Sequence, residues 1–363
     1  MKGIKFTDRC VLSAIGTFLL VAYLITLLWT PGQSDFERTM HILMKDVNQV
    51  NYHNESLGPF LEEDWNRDIS AISLFSSENS SFSKCDAATE LLVGVISRPQ
   101  DVGLRKEIRR TWASKSRYNS KKTKILFFLG QSKNVTHQQE IDRFKDIVLI
   151  DYHEGYYNLS IKSFALLKYH KDYCNQAKCI LKIDTDVVAN LEGLEELCRQ
   201  RDDSPLIIGG SALRWQKVER NVASKYYLPR FVYKADFYPP YVEGPAYLLS
   251  GTNVSTVILE ALRETPFYHS ENFRRLPEDV IINGIARAIA EIPLKNNNGF
   301  SIYKKEIISF WCPLNRPPTP LIYHGAEPLE SYWKRFKGHI LDASIFGWWD
   351  RVVICGFWFT NAE

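Results

Sequence analysis

The sequence predicts an α/β domain, a mostly parallel sheet flanked by helices on both faces. Three observations point there. Apolar runs of strand length recur at 91–96, 124–130, 147–150 and 179–184. Stretches of helical spacing separate them, at 104–112 and from Tyr157 toward Tyr173. The runs are largely apolar throughout instead of alternating, as strands covered on both faces are. Strand and helix in alternation favour parallel strands joined by crossover helices.

Composition sets the bounds. With 363 residues there is room for one large domain or two ordinary ones. Hydrophobic residues at 45% and charged residues at 24% describe an ordinary folded protein. Lys and Arg number 45 against 42 Asp and Glu, a balance of +3 that gives no support for nucleic-acid binding. Seven cysteines are present, one of them Cys10 at the start of an apolar run, which leaves six beyond it. An even count outside a membrane fits an oxidising lumen, with the pairing left open; buried free thiols of a cytosolic protein are the plainer alternative.

In chain order, residues 1–9 form a short tail with Lys2, Lys5 and Arg9. Residues 10–29 carry no charge and are long enough to span a bilayer as a helix. The far side opens with Pro31, Gly32, Asp35 and Glu37, so the positive-inside rule puts the C-terminal bulk in the lumen. A cleaved signal peptide is the rival. Its apolar core is normally shorter, and no clear small-x-small site follows Trp29, so an uncleaved anchor is preferred. Residues 30–84 are polar and read as a flexible stem, with sequons at Asn54 and Asn79; Asn134 and Asn253 begin two more downstream. The folded domain is expected over 85–363. Its aromatic C-terminal stretch 345–359 is broken by Asp350 and Arg351, too short and too charged to span, and should pack onto the domain.

The run 179–184 ends in Asp184-Thr-Asp186, which makes it the centre of the functional argument. Carboxylates at i and i+2 where a strand ends can point the same way and offer adjacent oxygens to Mg²⁺ or Mn²⁺. Such ions commonly share their remaining sites with water and substrate phosphates, so a diphosphate is the natural third party. Chance alone supplies an Asp-x-Asp in a chain of this Asp content. Position therefore carries the weight, because ligands of open parallel sheets bind beyond the carboxyl ends of the strands.

Taken in order, Arg105-Lys-Glu-Ile-Arg-Arg-Thr-Trp112, Phe127-Phe-Leu-Gly130, Tyr157-Asn-Leu-Ser-Ile-Lys162, Leu181-Lys-Ile-Asp-Thr-Asp186, Tyr238-Pro-Pro-Tyr241 with Gly244-Pro-Ala-Tyr247, and Glu278-Asp-Val280 form a specific set. In this set the chain resembles the beta-1,3-galactosyltransferase family of Golgi glycosyltransferases, which includes beta-1,3-N-acetylglucosaminyltransferases. The resemblance covers roughly 90–325. It implies a GT-A fold and a single-pass type II Golgi membrane topology. It also implies a UDP-sugar donor, a glycan acceptor on glycoprotein or glycolipid, and inverting transfer dependent on Mn²⁺ or Mg²⁺. Two positions depart from the family pattern: Ile183 replaces the first acid of the usual metal triplet, and Glu243 stands where Cys or Ser is common.

The resemblance also suggests roles. Asp186 is expected to ligate the metal directly, with Asp184 reaching it through water or touching the donor ribose. Asp279 is expected to be the general base that takes the acceptor proton, with Glu278 sharing the role. Pro-Glu-Asp before an apolar run equally describes a first helical turn. His324 is a candidate further metal ligand, a satisfied structural histidine being the alternative. Arg105, Arg109 and Lys162 are candidates for donor phosphates, or else a solvated helix face. Lys182 reads as a strand lysine reaching for solvent. Tyr241, Gly244 and Tyr247 are expected to shape the sugar pocket. Asn158-Leu-Ser is formally a sequon but reads as a buried helix start, without a glycan. Two other function classes stay open: a metal-free glycoside hydrolase, and an inactive lectin-like or chaperone protein on the same fold.

Overall fold

The computed structural model describes residues 39, 74–75, 84–114, 121–132, 137–155, 158–211, 215–268, 273, 276–301, 320–325 and 328–345. The 10–29 span, most of the stem and the 346–359 stretch lie outside the described residues. Among the described residues no helix is long and apolar enough to cross a membrane.

The strands in chain order are β1 (Leu74–Phe75), β2 (Leu91–Ile96), β3 (Thr123–Gln131), β4 (Ile147–His153), β5 (Cys179–Asp184), β6 (Val187–Ala189), β7 (Leu206–Gly209), β8 (Ala246–Ser250), β9 (Leu294–Asn296), β10 (Phe300–Ser301) and β11 (Ile322–His324). Eight form one sheet in the order β1-β4-β3-β2-β5-β8-β7-β9. Only β1 and β8 run against the rest, so the expected mostly parallel sheet is what forms. One expectation changes. The stem is not wholly outside the domain, because Leu74 and Phe75 pair antiparallel with Ile150 and Leu149 and cover the β4 edge.

Helices α1 (Val102–Arg110), α2 (Gln138–Phe144), α3 (Leu159–Tyr173), α4 (Leu191–Arg199) and α5 (Val254–Arg263) fill the crossovers. A π-helical segment, Val280–Ala286, follows and runs into α6 (Arg287–Ile289); α7 (Leu329–Ile345) closes the described chain. Successive strand residues go to opposite faces, and both faces are buried. Leu92, Phe128 and Ile180 pack with α3, α5 and the π-helical segment. Leu91, Val93, Phe127 and Leu181 pack on the other face with α1, α4 and α7. This two-sided burial is why the runs lack alternation, and each fully buried aliphatic side chain contributes about 1.5–3 kcal/mol.

The chain first winds from β2 outward to β3 and β4. Helix α3 then carries it back across to β5 on the other side of β2. The sheet order thus reverses between β2 and β5, where Ile96 lies opposite Asp184. In sheets of this kind such a reversal marks the crevice beyond the carboxyl ends of the strands where ligands bind. A second, three-stranded sheet, β10-β11-β6, sits beside it, with β11 antiparallel to β6 and His324 opposite Val187. Asn190 anchors this sheet: its amide donates to the Leu321 carbonyl and its Oδ1 caps α4 at Gly193 N. Disulfides Cys85–Cys174 and Cys179–Cys198 staple the domain start to the end of α3, and β5 to α4.

Candidate active site

The end of β5 sets the site. Lys182 is 2% exposed, so it does not reach solvent as the sequence suggested. Its Nζ instead donates to Asp184 Oδ1 at 2.7 Å and to the Gly244 carbonyl at 2.5 Å, with Glu278 Oε2 at 3.4 Å. An ammonium in an apolar sheet persists only where carboxylates and carbonyls replace its water. Burial opposes its charge, but the Asp184 and Glu278 carboxylates outweigh burial and hold the Lys182 pKa above its ordinary value. For Asp184 burial wins: only partly offset by Lys182, it pushes the carboxyl up.

Two residues further, Asp186 meets His324, with Oδ2 and Nε2 3.2 Å apart. The β6–β11 register brings them together, and the Gly325 amide donating to the Asp186 carbonyl locks the turn. Burial raises the Asp186 pKa, yet the His324 hydrogen bond and charge hold it below the ordinary carboxylate range.

On the opposite bank, Asp279 stands at the start of the π-helical segment. Its Oδ2 accepts from Gly244 N and its Oδ1 from Val280 N, both at 3.0 Å. Burial first, then the Glu278 charge, pushes its carboxyl up to about 7. A Cβ at Gly244 would come within 3.2 Å of Asp279 Oδ2, a tight contact that would press on the carboxylate. Gly244 therefore bridges the two banks, its carbonyl on Lys182 and its amide on Asp279. Tyr247 lies under the site, 1% exposed; its hydroxyl donates to Glu278 Oε1 and its ring lies 5.9 Å from Lys182 Nζ.

Asp184, Asp186, His324, Glu278, Asp279 and Gly244 thus converge on the crevice, while other expected residues serve the fold. Arg105 is 0% exposed, and its guanidinium is engaged by Glu140, Ser97 Oγ and the carbonyls of Arg98 and Pro99. Arg109 is held by Glu140 and Asp146 and stacks over Phe127 and Phe144. These donors are committed inside the protein and do not face a diphosphate. Lys162 is buried too, donating to Glu154 Oε1 at 2.6 Å and the Ser97 carbonyl at 2.8 Å. Because Glu154 also accepts from Gly130 N, Lys162 ties together the ends of β2 and β3 beneath the crevice. Tyr241 and Tyr247 form packed walls and floor, Tyr241 donating to Gln216 Oε1. Asn158 is 6% exposed, as a glycan-free helix start would be.

The Lys182–Gly244–Asp279 bridge is not legible in the sequence. The one signal was a lysine inside an apolar strand, whose partners lie far along the chain. As for a metal, the donors fit a partial set. Asp186 and His324 present a carboxylate oxygen and an imidazole nitrogen suited to Mn²⁺, both reachable from solvent. Among the described residues no three His, Cys, Asp or Glu side chains close into a full cage.

The galactosyltransferase family model matches residues 104–298. Beta-1,3-galactosyltransferase 1 of Mus musculus and of Homo sapiens are each 28% identical over 233 residues, 61% of this chain and 67% of theirs. N-acetyllactosaminide beta-1,3-N-acetylglucosaminyltransferase 4 of Mus musculus is 28% identical over 261 residues, 69% of this chain and 70% of its own. Among solved structures, the galactosyltransferase LgtC bound to donor and acceptor sugar analogs aligns at 14% identity over 71% of this chain and 98% of its own, with a TM-score of 0.38. With the family model spanning more than half of the chain and these relatives beside it, the protein belongs to the galactosyltransferase family and is a glycosyltransferase of its beta-1,3-galactosyltransferase and beta-1,3-N-acetylglucosaminyltransferase group.

Proposed function

We propose that the protein transfers galactose or an N-acetylhexosamine from a UDP-sugar to a glycan hydroxyl, with inversion and in beta-1,3 linkage. One observation carries this reading: the crevice holds a metal-competent pair, Asp186 and His324, and a separate carboxylate, Asp279, joined by the Asp184–Lys182–Gly244 bridge. Inverting displacement needs this division, because the base must approach opposite the leaving group. Asp279, pushed up to about 7, is poised to take the acceptor hydroxyl proton near neutral pH. Glu278, held by Tyr247 and Lys182, keeps a second negative charge beside it and sustains its basicity. Lys182 holds Asp184 toward the crevice, where that carboxylate can orient donor ribose or a metal-bound water. Asp186 and His324 would hold a Mn²⁺ or Mg²⁺. Such an ion, when bound, supplies Lewis-acid stabilisation to the departing diphosphate.

Luminal placement belongs to the same proposal. Two disulfides suit an oxidising compartment, and the uncharged 10–29 run preceded by Lys2, Lys5 and Arg9 suits a type II Golgi anchor. The test is a UDP-sugar panel with full-length protein in detergent and Mn²⁺, reading UDP release against a panel of glycan acceptors, with and without chelator. Acceptor-dependent release that chelator abolishes is expected. Metal-independent cleavage of a glycoside, or UDP-sugar binding without turnover on every acceptor, would overturn the reading.

A further inference from the structure

The loop that carries Gly244 is gripped from one side by the helix that carries Asp279. Asp279 Oδ2 accepts from Gly244 N at 3.0 Å, Asn283 Oδ1 accepts from Val242 N at 2.8 Å, and Arg287 Nη2 donates to the Pro240 carbonyl at 2.8 Å. The three helix residues are spaced four apart, so they share one face. The three loop residues are spaced two apart, and all three bonds are made to the same helix. The two periodicities lock into one register. Gly284 lets the surfaces meet, since a Cβ there would come within 3.3 Å of Tyr241 Cβ.

We propose that Asn283 and Arg287 are positioning residues of the transfer reaction, holding the 240–244 backbone so that the Gly244 amide stays on Asp279 and its carbonyl on Lys182. This deepens the proposed function and rests on Asp279 being the base. Two features set these residues apart from ordinary packing. Asn283 is 0% exposed, and its Nδ2 finds no acceptor among the described residues while its Oδ1 serves Val242. An apolar residue would avoid burying that amide, so the gain is the aim of Oδ1. Arg287 is 3% exposed and donates to the backbone carbonyls of Pro240, Asn283 and Ile292. A guanidinium desolvated against carbonyls is a poor source of stability and a good rigid fork for fixing backbone. The π-helical winding between Asp279 and Arg287 agrees, since such segments recur at functional sites.

If the loop slackens, Asp279 loses the Gly244 amide that stabilises its ionised form, and its proton is held more tightly. Misplacement on the order of 1 Å can cost up to about 100-fold in rate. Full-length Asn283→Ala and Arg287→Met proteins would be assayed by UDP release from UDP-galactose and UDP-N-acetylglucosamine. In parallel, carbodiimide labelling of Asp279 would be followed by peptide mass spectrometry across pH, a readout independent of turnover. Expected are a kcat loss of about 10- to 100-fold, donor KM within about twofold, and an Asp279 labelling midpoint raised by about half to one pH unit. A purely structural role would lower the melting temperature and leave the midpoint and the kcat of folded molecules unchanged; that result overturns the proposal. If both truncations fail to fold, Asn283→Ser and Arg287→Lys carry the same expectation at smaller size, and wild-type kcat and midpoint in both overturn it. Failure of the base assignment looks different: Asp279→Asn would then keep transfer. An inactive Asp279→Asn beside unperturbed Asn283 and Arg287 variants sinks only the clamp.

Discussion

Replacing Asp279 with Asn should abolish transfer and at the same time stabilise the fold, by an amount that grows with pH. Burial and Glu278 raise the folded pKa of Asp279 from 3.8 to about 7, so the native state holds its proton over a range in which the unfolded chain has released it. A group shifted upward favours the native state most at low pH, and that contribution is lost as pH rises through about 7. At pH 8 the full shift of about three units applies, about 4 kcal/mol at 1.36 kcal/mol per unit. Asn cannot accept the second of the two amide hydrogen bonds, which returns about 1 kcal/mol. Asp279 keeps some contact with solvent, and a further discount leaves about 2 kcal/mol. For a domain of this size that is roughly 4–8 °C in melting temperature. At pH 5 most of the gap closes, because native Asp279 is then protonated and neutral like Asn. Scanning fluorimetry of both full-length proteins at pH 5 and pH 8 measures it. Catalysis should mirror this, with wild-type kcat/KM rising with pH through about 7 as the base deprotonates. An Asn variant no more stable than wild type at pH 8, or a gap of equal size at both pH values, would refute the placement of a strained carboxylate here.

Lys182→Met removes the cation that touches Asp184 and Glu278 and should lower stability by about 3–5 kcal/mol, read as a fall in melting temperature together with lost transfer. Arg105→Met should destabilise by about 1–3 kcal/mol, since Glu140 keeps Arg109 but loses Arg105 while Ser97 and the Arg98 and Pro99 carbonyls lose their donor; the donor KM of the folded fraction should stay unchanged. A raised donor KM at full stability would restore the arginine to the substrate. His324→Ala should leave the melting temperature nearly unaltered but raise the Mn²⁺ concentration needed for half-maximal UDP release about 10-fold or more, and an unchanged metal titration would remove His324 from the site. Replacing Cys85 and Cys174 together by Ser should cost about 2–4 kcal/mol, measured by urea unfolding under non-reducing conditions.

The sheet was legible because its strands are apolar on both faces. Leu91–Ile96 appears where the unbroken run placed it, and the return of α3 to β5 makes the crevice that the Asp pair needed. Facing was harder to read. Arg105 and Arg109 lie one helical turn apart, as their spacing implies, but spacing does not say whether a face looks out or in. What decides it are Glu140 and Asp146, supplied by a helix and a turn that the apolar pattern does not announce. Lys182 was misread for a related reason. A lysine alone in a strand looks too costly to bury, and the groups that offset the cost come from the 240s and from Glu278. The edge strand β1 escaped because two residues within a polar stretch carry no period at all.

The same arrangement explains why an interior lysine belongs in this site. One ammonium faces Asp184 and Glu278 directly, with the Asp279 charge close behind, so negative charge is in excess around it. Without Lys182 the carboxylates would repel one another and the banks would part. If Lys182 balanced them fully, Asp279 would lose the Glu278 contribution and keep only the upward push of burial, the larger of the two. The surplus that remains does two things at once. Through Glu278 it adds to burial in pushing Asp279 up to about 7, and on the proposed function it would make the mouth of the crevice, where Asp186 and His324 are partly exposed, favour a divalent cation over a bare diphosphate. On the proposed function, the charge that Lys182 leaves unbalanced would add to burial in tuning the base and would also favour a metal-accompanied donor, with the backbone of Gly244 holding the two banks in register.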